Sequence, residues 1–197
     1  MKIIFATHNL GKVKELKQIL DVSDVEVLSA DEFGVHEDVV EDGETLQENS
    51  EKKARFVFEK TKEWTVADDT GIFISALNGA PGVRSARWAK ENGFDQGIMQ
   101  YALLRMQGVP KNKRSAYFET AVVLISSTGE EQVFVGRVNG SIVTEPRGAV
   151  RPTLPYDTIF MPEGHTRTFG EMSDQEKNQL SHRGKAFEKL REFFASK

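Results

Sequence analysis

The stretch Val66-Ala67-Asp68-Asp69-Thr70-Gly71 sets the terms for the rest of the chain. An apolar run containing Trp64, Val66 and Ala67 stops at two adjacent carboxylates and a Gly, and a second apolar run, Ile72-Phe73-Ile74, begins at once. The pattern predicts strand, tight turn, strand. Side chains on extended backbone alternate faces, so Asp68 and Asp69 are expected to point in opposite directions, one towards a cleft and the other holding the turn. Two acids at the mouth of a buried strand suit a divalent cation or a general base. An Asx-type turn, with the carboxylates bonded to local amides, accounts for the same residues. Taken alone, the motif leaves both readings open.

The chain of 197 residues is long enough for one sizeable core, and a single compact unit spanning 1–197 is expected. Hydrophobic residues at 39% and charged residues at 28% are near the globular average, which excludes a disordered or membrane class. The opening apolar run, Ile3 to Ala6, is too short for a signal peptide or a transmembrane span. With no Cys there is no disulfide framework, thiolate nucleophile or Cys-based zinc site, and a cytoplasmic location is the expectation. A net charge of -4 argues against a nucleic-acid partner but leaves room for a local basic cleft that holds a small phosphate ligand.

Lys2 to Ala6 reads as a short buried strand running into Thr7-His8-Asn9-Leu10-Gly11-Lys12. A helix follows, with Val13, Leu16, Ile19 and Leu20 at helical spacing. A strand, a polar turn and a helix N-terminus commonly hold an anion through backbone amides and the helix dipole, and Lys12 adds a full positive charge. The spacing matches neither the Walker loop nor the dinucleotide fingerprint, and a plain helix cap built by Thr7 or Asn9 explains the loop equally well. Val25, Val27 and Leu28 suggest a second strand. The acid-rich connector from Asp31 to Glu44 reads as a solvated loop that can also supply a metal ligand such as Glu41. Thr45 to Lys62 is predicted helical, with Leu46, Ala54, Val57 and Phe58 on its apolar side and Glu48, Asn49, Lys52 and Lys53 on its polar side.

Asn78 to Gly82 is a turn cluster, and a helix is expected around Gln96 to Met106. Ser115 to Ile125 and Gln132 to Val138 predict an antiparallel hairpin, and Ser141 to Val143 one more short strand. The loop from Pro146 to Asp157 holds three of the six Pro residues with Arg147 and Arg151, and is a candidate binding loop. Ser173-Asp174-Gln175-Glu176 has the form of a capping box, and Phe187, Leu190 and Phe194 form an apolar helical stripe. The basic cluster Ser181 to Lys185 is either a solvated helix break or, with Lys177, His182 and Arg183, a set of donors facing a phosphate or nucleobase.

Five blocks in order resemble the non-canonical purine nucleoside triphosphate pyrophosphatases, the inosine or xanthosine triphosphate pyrophosphatase family. They are Thr7 to Lys12, Glu48-Asn49-Ser50 with Lys53-Ala54, Ala67 to Gly71, Pro81-Gly82-Val83 with Ser85-Ala86-Arg87, and Thr168 to Met172 continuing to Ser181-His182-Arg183. The resemblance implies an elongated, two-lobed α/β fold around a long curved mixed β-sheet, with flanking helices, a central substrate cleft and a homodimer. It implies Mg²⁺-dependent hydrolysis of ITP, dITP and XTP to the monophosphate and pyrophosphate, which cleanses the nucleotide pool. By the same analogy Asp69 is the catalytic acid, with Asp68 the runner-up; Asp69 and, from the acid-rich connector, Glu41 are the candidate metal ligands; and Thr7, His8, Asn9, Leu10, Gly11, Lys12 and Thr70 lie along the phosphates. Leu154, Pro155, Tyr156, Asp157, Lys177, His182 and Arg183 correspond to the base-recognition group. One departure stands out: where the family carries Gly-Phe-Gly-Tyr-Asp-Pro, this chain has Pro152-Thr153-Leu154-Pro155-Tyr156-Asp157-Thr158, so the stacking aromatic is replaced by Leu154. The alternatives are a related pyrophosphatase with altered base preference, or a nucleotide-binding module with weak turnover.

Overall fold

The computed structural model describes residues 1–20, 25–151 and 153–196. Pro152, part of the departing loop, lies outside the described residues. The fold is mixed α/β. Its strands are β1 (Lys2–Phe5), β2 (Glu26–Ser29), β3 (Trp64–Ile74), β4 (Pro81–Gly82), β5 (Ser115–Ile125), β6 (Glu131–Ile142) and β7 (Phe160–Pro162). The helices are α1 (Leu10–Leu20), α2 (Ala30–Phe33), α3 (Leu46–Thr61), α4 (Trp88–Glu91), α5 (Ile98–Arg105), α6 (Asp174–Leu180) and α7 (His182–Ala195). One mixed sheet runs in the order β2-β1-β3-β5-β6-β7, with β4 paired to β3. β1 is parallel to both β2 and β3, while β4 is antiparallel to β3 and β7 to β6.

The chain divides into two compact units, the first comprising Met1–Asp69, Thr120–Gly136 and the chain from Arg183 on, the second Thr70–Glu119 and Arg137–His182. In the first unit the parallel strands are apolar on both faces, as strands covered by helices on either side must be. Ile3, Phe5 and Val66 face α1 and α7, packing with Leu16, Phe187 and Leu190. Ile4, Ala6 and Ala67 face the other way, against Ala54 and Val57 of α3. The second unit packs Ile72 and Ile74 with Tyr101, Phe118, Phe160 and Phe169.

Three sequence expectations are corrected. The predicted strand, turn, strand at Asp68-Asp69 is one continuous strand of 11 residues. Gly71 is there for close approach and not for a turn, since a Cβ on it would lie 2.6 Å from the Gly82 carbonyl oxygen of the paired β4. The separate strand expected at Ser141 is the end of β6, which runs unbroken from Glu131. Asn49, assigned to the polar side of α3, is fully buried with Leu46, Ser50, Ala54 and Val57. The capping box expected at Ser173 forms, and a second one at Thr45 opens α3.

Candidate active site

The alternation of β3 decides where its two acids go. Val66 faces α1 and α7, Ala67 faces α3, and the next two residues continue the pattern. Asp68, 1% exposed, therefore meets α1 and α7: its Oδ1 accepts from Lys12 Nζ at 2.8 Å and its Oδ2 from Arg183 Nε at 3.3 Å. Arg183 also pairs with Glu15 of α1. Burial alone drives the Asp68 carboxyl upward, but the charges of Lys12, Arg183 and Lys53 overcome it and hold the group far below the usual carboxylate range. Asp68 is thus a fixed anion inside a cage of cations.

Asp69 meets α3. Asn49 Nδ2 donates to its Oδ2 at 3.1 Å, and Lys53 Nζ stands 3.7 Å from its Oδ1. Burial pushes this carboxyl above its ordinary value, with Glu41 adding to the rise and Lys53 and Asn49 opposing it. Lys53 Nζ also donates to the Asp68 carbonyl oxygen at 2.7 Å and pairs with Glu41 Oε1 at 2.7 Å. For Lys53, burial works to lower the pKa, and the fields of Asp69, Asp68 and Glu41 turn the balance upward. One ammonium therefore draws Glu41 and Asp69 to the same point.

The loop after β1 adds further polar groups in the same unit. Asn9 caps α1, its Oδ1 accepting from the Gly11 and Lys12 amides at 2.9 and 3.3 Å, and Thr7 Oγ1 accepts from the Asn9 amide at 3.2 Å. Leu10 is 70% exposed and contributes no packing to the core. His8 Nδ1 lies 2.9 Å from Asp31 Oδ1, and its hydrogen bond to that acid raises the imidazole pKa. A cavity of about 120 Å³ opens here, lined by Thr7, His8, Lys12, Glu41 and Lys53 among others.

The remaining candidates belong to the second unit. Thr70 follows Asp69 on β3. Leu154 precedes a short 3₁₀ turn, Pro155–Thr158, in which Tyr156 and Asp157 are buried. Tyr156 donates its hydroxyl to the Ser85 carbonyl oxygen at 3.1 Å, and its burial pushes the phenol pKa up. Lys177, 2% exposed, donates to Asp157 Oδ2 at 2.7 Å, and Arg151 Nη1 reaches the same oxygen at 3.3 Å. His182 stacks on Phe118 with ring centroids 4.5 Å apart. Lys177 and His182 therefore fall in one unit, whereas Arg183, grouped with them on sequence spacing, turns to Asp68 and Glu15.

Sequence reasoning placed Asn49 and Lys53 in a block that carries the resemblance and Arg151 in a candidate binding loop, but gave none of these, nor Glu15, an individual part in the site. For Asn49 a signal was present, because it falls on the i, i+3, i+4, i+8 stripe of buried positions in α3. Lys53 carried no such sign, since a Lys on a helix is ordinarily solvated. Arg151 latches the loop after β6 by donating to the Phe169 and Met172 carbonyl oxygens at 3.0 and 2.8 Å.

This arrangement has relatives. The chain is 43% identical over 195 residues to the dITP/XTP pyrophosphatase of Caldanaerobacter subterraneus subsp. tengcongensis, covering 98% of this chain and 96% of that one. It is 42% identical over 188 residues to the dITP/XTP pyrophosphatase of Bacillus subtilis, covering 95% and 93%. The Ham1 proteins of Staphylococcus aureus and Coxiella burnetii superpose with TM-scores of 0.86 and 0.88 at 31% and 33% identity, over all of this chain and 99% and 100% of theirs. The Ham1 family model matches residues 3–193, and by sequence, fold and extent of match the chain belongs to the Ham1 family.

Proposed function

We propose that this chain hydrolyses non-canonical purine nucleoside triphosphates, ITP, dITP and XTP, to the monophosphate and pyrophosphate. The observation that carries the reading is the pair of unlike acids on β3: one locked as an anion by Lys12 and Arg183, the other raised by burial and set beside Lys53 and Glu41. A carboxylate whose pKa is raised by burial is a better proton acceptor, so Asp69 takes the proton of the water that attacks the α-phosphorus. Lys12, Lys53 and the loop of Thr7, His8, Asn9 and Gly11 receive the phosphate oxygens, with Thr70 next along the strand. Among the described residues no cluster of three or more His, Cys, Asp or Glu is suited to a metal, and Mg²⁺ needs none: it takes one or two carboxylates and completes its shell with phosphate and water. Glu41 and Asp69, both drawn to Lys53, fit that donor set. When bound, Mg²⁺ would neutralise and orient the triphosphate.

In the second unit, Lys177 donates to Asp157. An ammonium carries three donors and no acceptor, so it favours the 6-oxo group of hypoxanthine and xanthine over the 6-amino group of adenine. His182 and the loop of Leu154, Pro155, Tyr156 and Asp157 complete the base-recognition group. Arg183 is assigned to holding Asp68. A homodimer, implied by the resemblance, and a cytoplasmic location, inferred from the lack of Cys, belong to the same reading. No described helix is long and apolar enough to cross a membrane.

The test is pyrophosphate release with Mg²⁺ from ITP, XTP, dUTP, GTP and ATP. Rates on ITP and XTP far above those on GTP and ATP are expected. Release at equal rates from all purines, or binding without release, overturns the reading. Leu154 in place of an aromatic favours a second reading, a pyrophosphatase of shifted base preference. Stacking is worth about 1–3 kcal/mol per base in nucleic-acid complexes, and dUTP as the best substrate would establish that shift.

A further inference from the structure

The segment from Val35 to Glu44 has no regular secondary structure, yet it delivers Glu41 to the same ammonium that faces Asp69. Beside the ion pairs that tie the segment to α3, one carboxamide links its backbone to β3. Asn49 is 0% exposed in the apolar stripe of α3, where Leu would pack without any cost of burying polar atoms. Its Nδ2 donates to Asp69 Oδ2 at 3.1 Å, and its Oδ1 accepts from the Gly43 amide at 2.8 Å. The two partners dictate this orientation, because a carboxylate needs a donor and an N–H needs an acceptor. The segment is seated closely: a Cβ on Gly43 would lie 2.7 Å from Asn49 Oδ1 and 2.9 Å from Glu48 Cβ.

We propose that Asn49 is a positioning residue for hydrolysis, coupling the carboxylate of Asp69 to the Gly43 backbone so that Asp69 and Glu41 are held in one fixed relation. The proposal rests on the function proposed above and deepens it. With Oδ2 tied to Asn49, the second oxygen of Asp69 is left on the side of Lys53 and Glu41. No other side chain of similar size does both tasks: Asp would accept from Gly43 but repel Asp69, and Leu would do neither.

The test uses Asn49→Asp, Asn49→Ala and Gly43→Ala, each checked for folding by circular dichroism and thermal unfolding. Steady-state ITP hydrolysis is one readout; the other is Mn²⁺ affinity in the presence of inorganic pyrophosphate, followed by electron paramagnetic resonance. Loss of such an outer partner is expected to lower kcat by about 10–100-fold with KM little changed, and to weaken Mn²⁺ by about 10-fold or more. Gly43→Ala, which leaves Asn49 and both acids in place, is expected to shift both readouts in the same direction. Folded variants that keep kcat and Mn²⁺ affinity within about twofold of the parent, whatever their Tm, overturn the proposal and leave Asn49 a purely structural group. If neither Asn49 variant folds, Gly43→Ala decides by the same criteria. Failure of the underlying function is distinguishable, since it is seen in the parent protein, and the Mn²⁺ measurement does not depend on turnover.

Discussion

Asp68 keeps its charge between Lys12 and Arg183, so truncating it leaves buried cations without this acid. Asp68→Ala is expected to cost about 3–5 kcal/mol of folding stability, read by urea unfolding. Asp69→Asn should do the reverse, keeping the Asn49 side of the site and the fold while lowering kcat by about 10²–10⁴-fold, the usual contribution of a general base. A variant at Asp69 with near-parental kcat would show that the proton goes elsewhere. That the acids face opposite ways was legible in the sequence, because a two-residue period is a property of extended backbone. That they sit inside one strand was not. Asp and Gly signal turns through φ and local amide bonds, whereas Gly71 serves a strand crossing that only the tertiary structure reveals. Asn49 escaped for a related reason: polarity was taken as exposure, and its burial follows from partners distant in sequence.

Among the elements, the segment from Val35 to Glu44 is held by charge more than by packing. Glu37 pairs with Lys60, Asp42 with Lys52 at 2.5 Å, and Glu41 with Lys53. At its start, Asp31 Oδ1 faces both His8 and His36, at 2.9 and 3.1 Å, and His8 Nε2 lies 3.6 Å from Asp38. The His8 pKa is raised above 6.5 by its bond to Asp31, so its contribution to stability is fully present below about pH 6.5 and fades as pH rises through the higher folded value. The Tm difference between the parent and His8→Ala should accordingly be largest in mild acid and vanish in mild alkali. A difference constant with pH would show that His8 acts through its neutral form alone. Of the helices flanking this region, α3 was read from its apolar spacing, while α2, a single turn capped by Ser29 and Glu32, was missed at the start of the acid-rich connector. The segment itself was read only as solvated and acidic, because its cationic partners lie on α3.

At the level of the whole molecule, both units are packed from apolar side chains, with Phe5, Leu16 and Phe187 in one and Phe118, Phe160 and Phe169 in the other. None of these contacts needs an ion. Chelation by EDTA is therefore expected to abolish pyrophosphate release while leaving Tm unchanged; a drop in Tm would assign the metal a structural role. The alternating β1-α1-β2 and α3-β3 pattern made the parallel part of the sheet predictable. The short β7 was not, being only the three residues Phe160–Pro162 just after the Pro-rich loop. In that same region the backbones cross at two glycines: a Cβ on Gly148 would lie 2.1 Å from the Gly170 carbonyl carbon, and one on Gly170 would lie 2.6 Å from the Arg147 carbonyl oxygen. Neither position tolerates any side chain, so the loop after β6 is pinned where the two backbones cross. If the loop after β6 recognises the base as proposed, a library built to redirect substrate range belongs at its positions away from that crossing, such as Val150, Thr153 and Leu154.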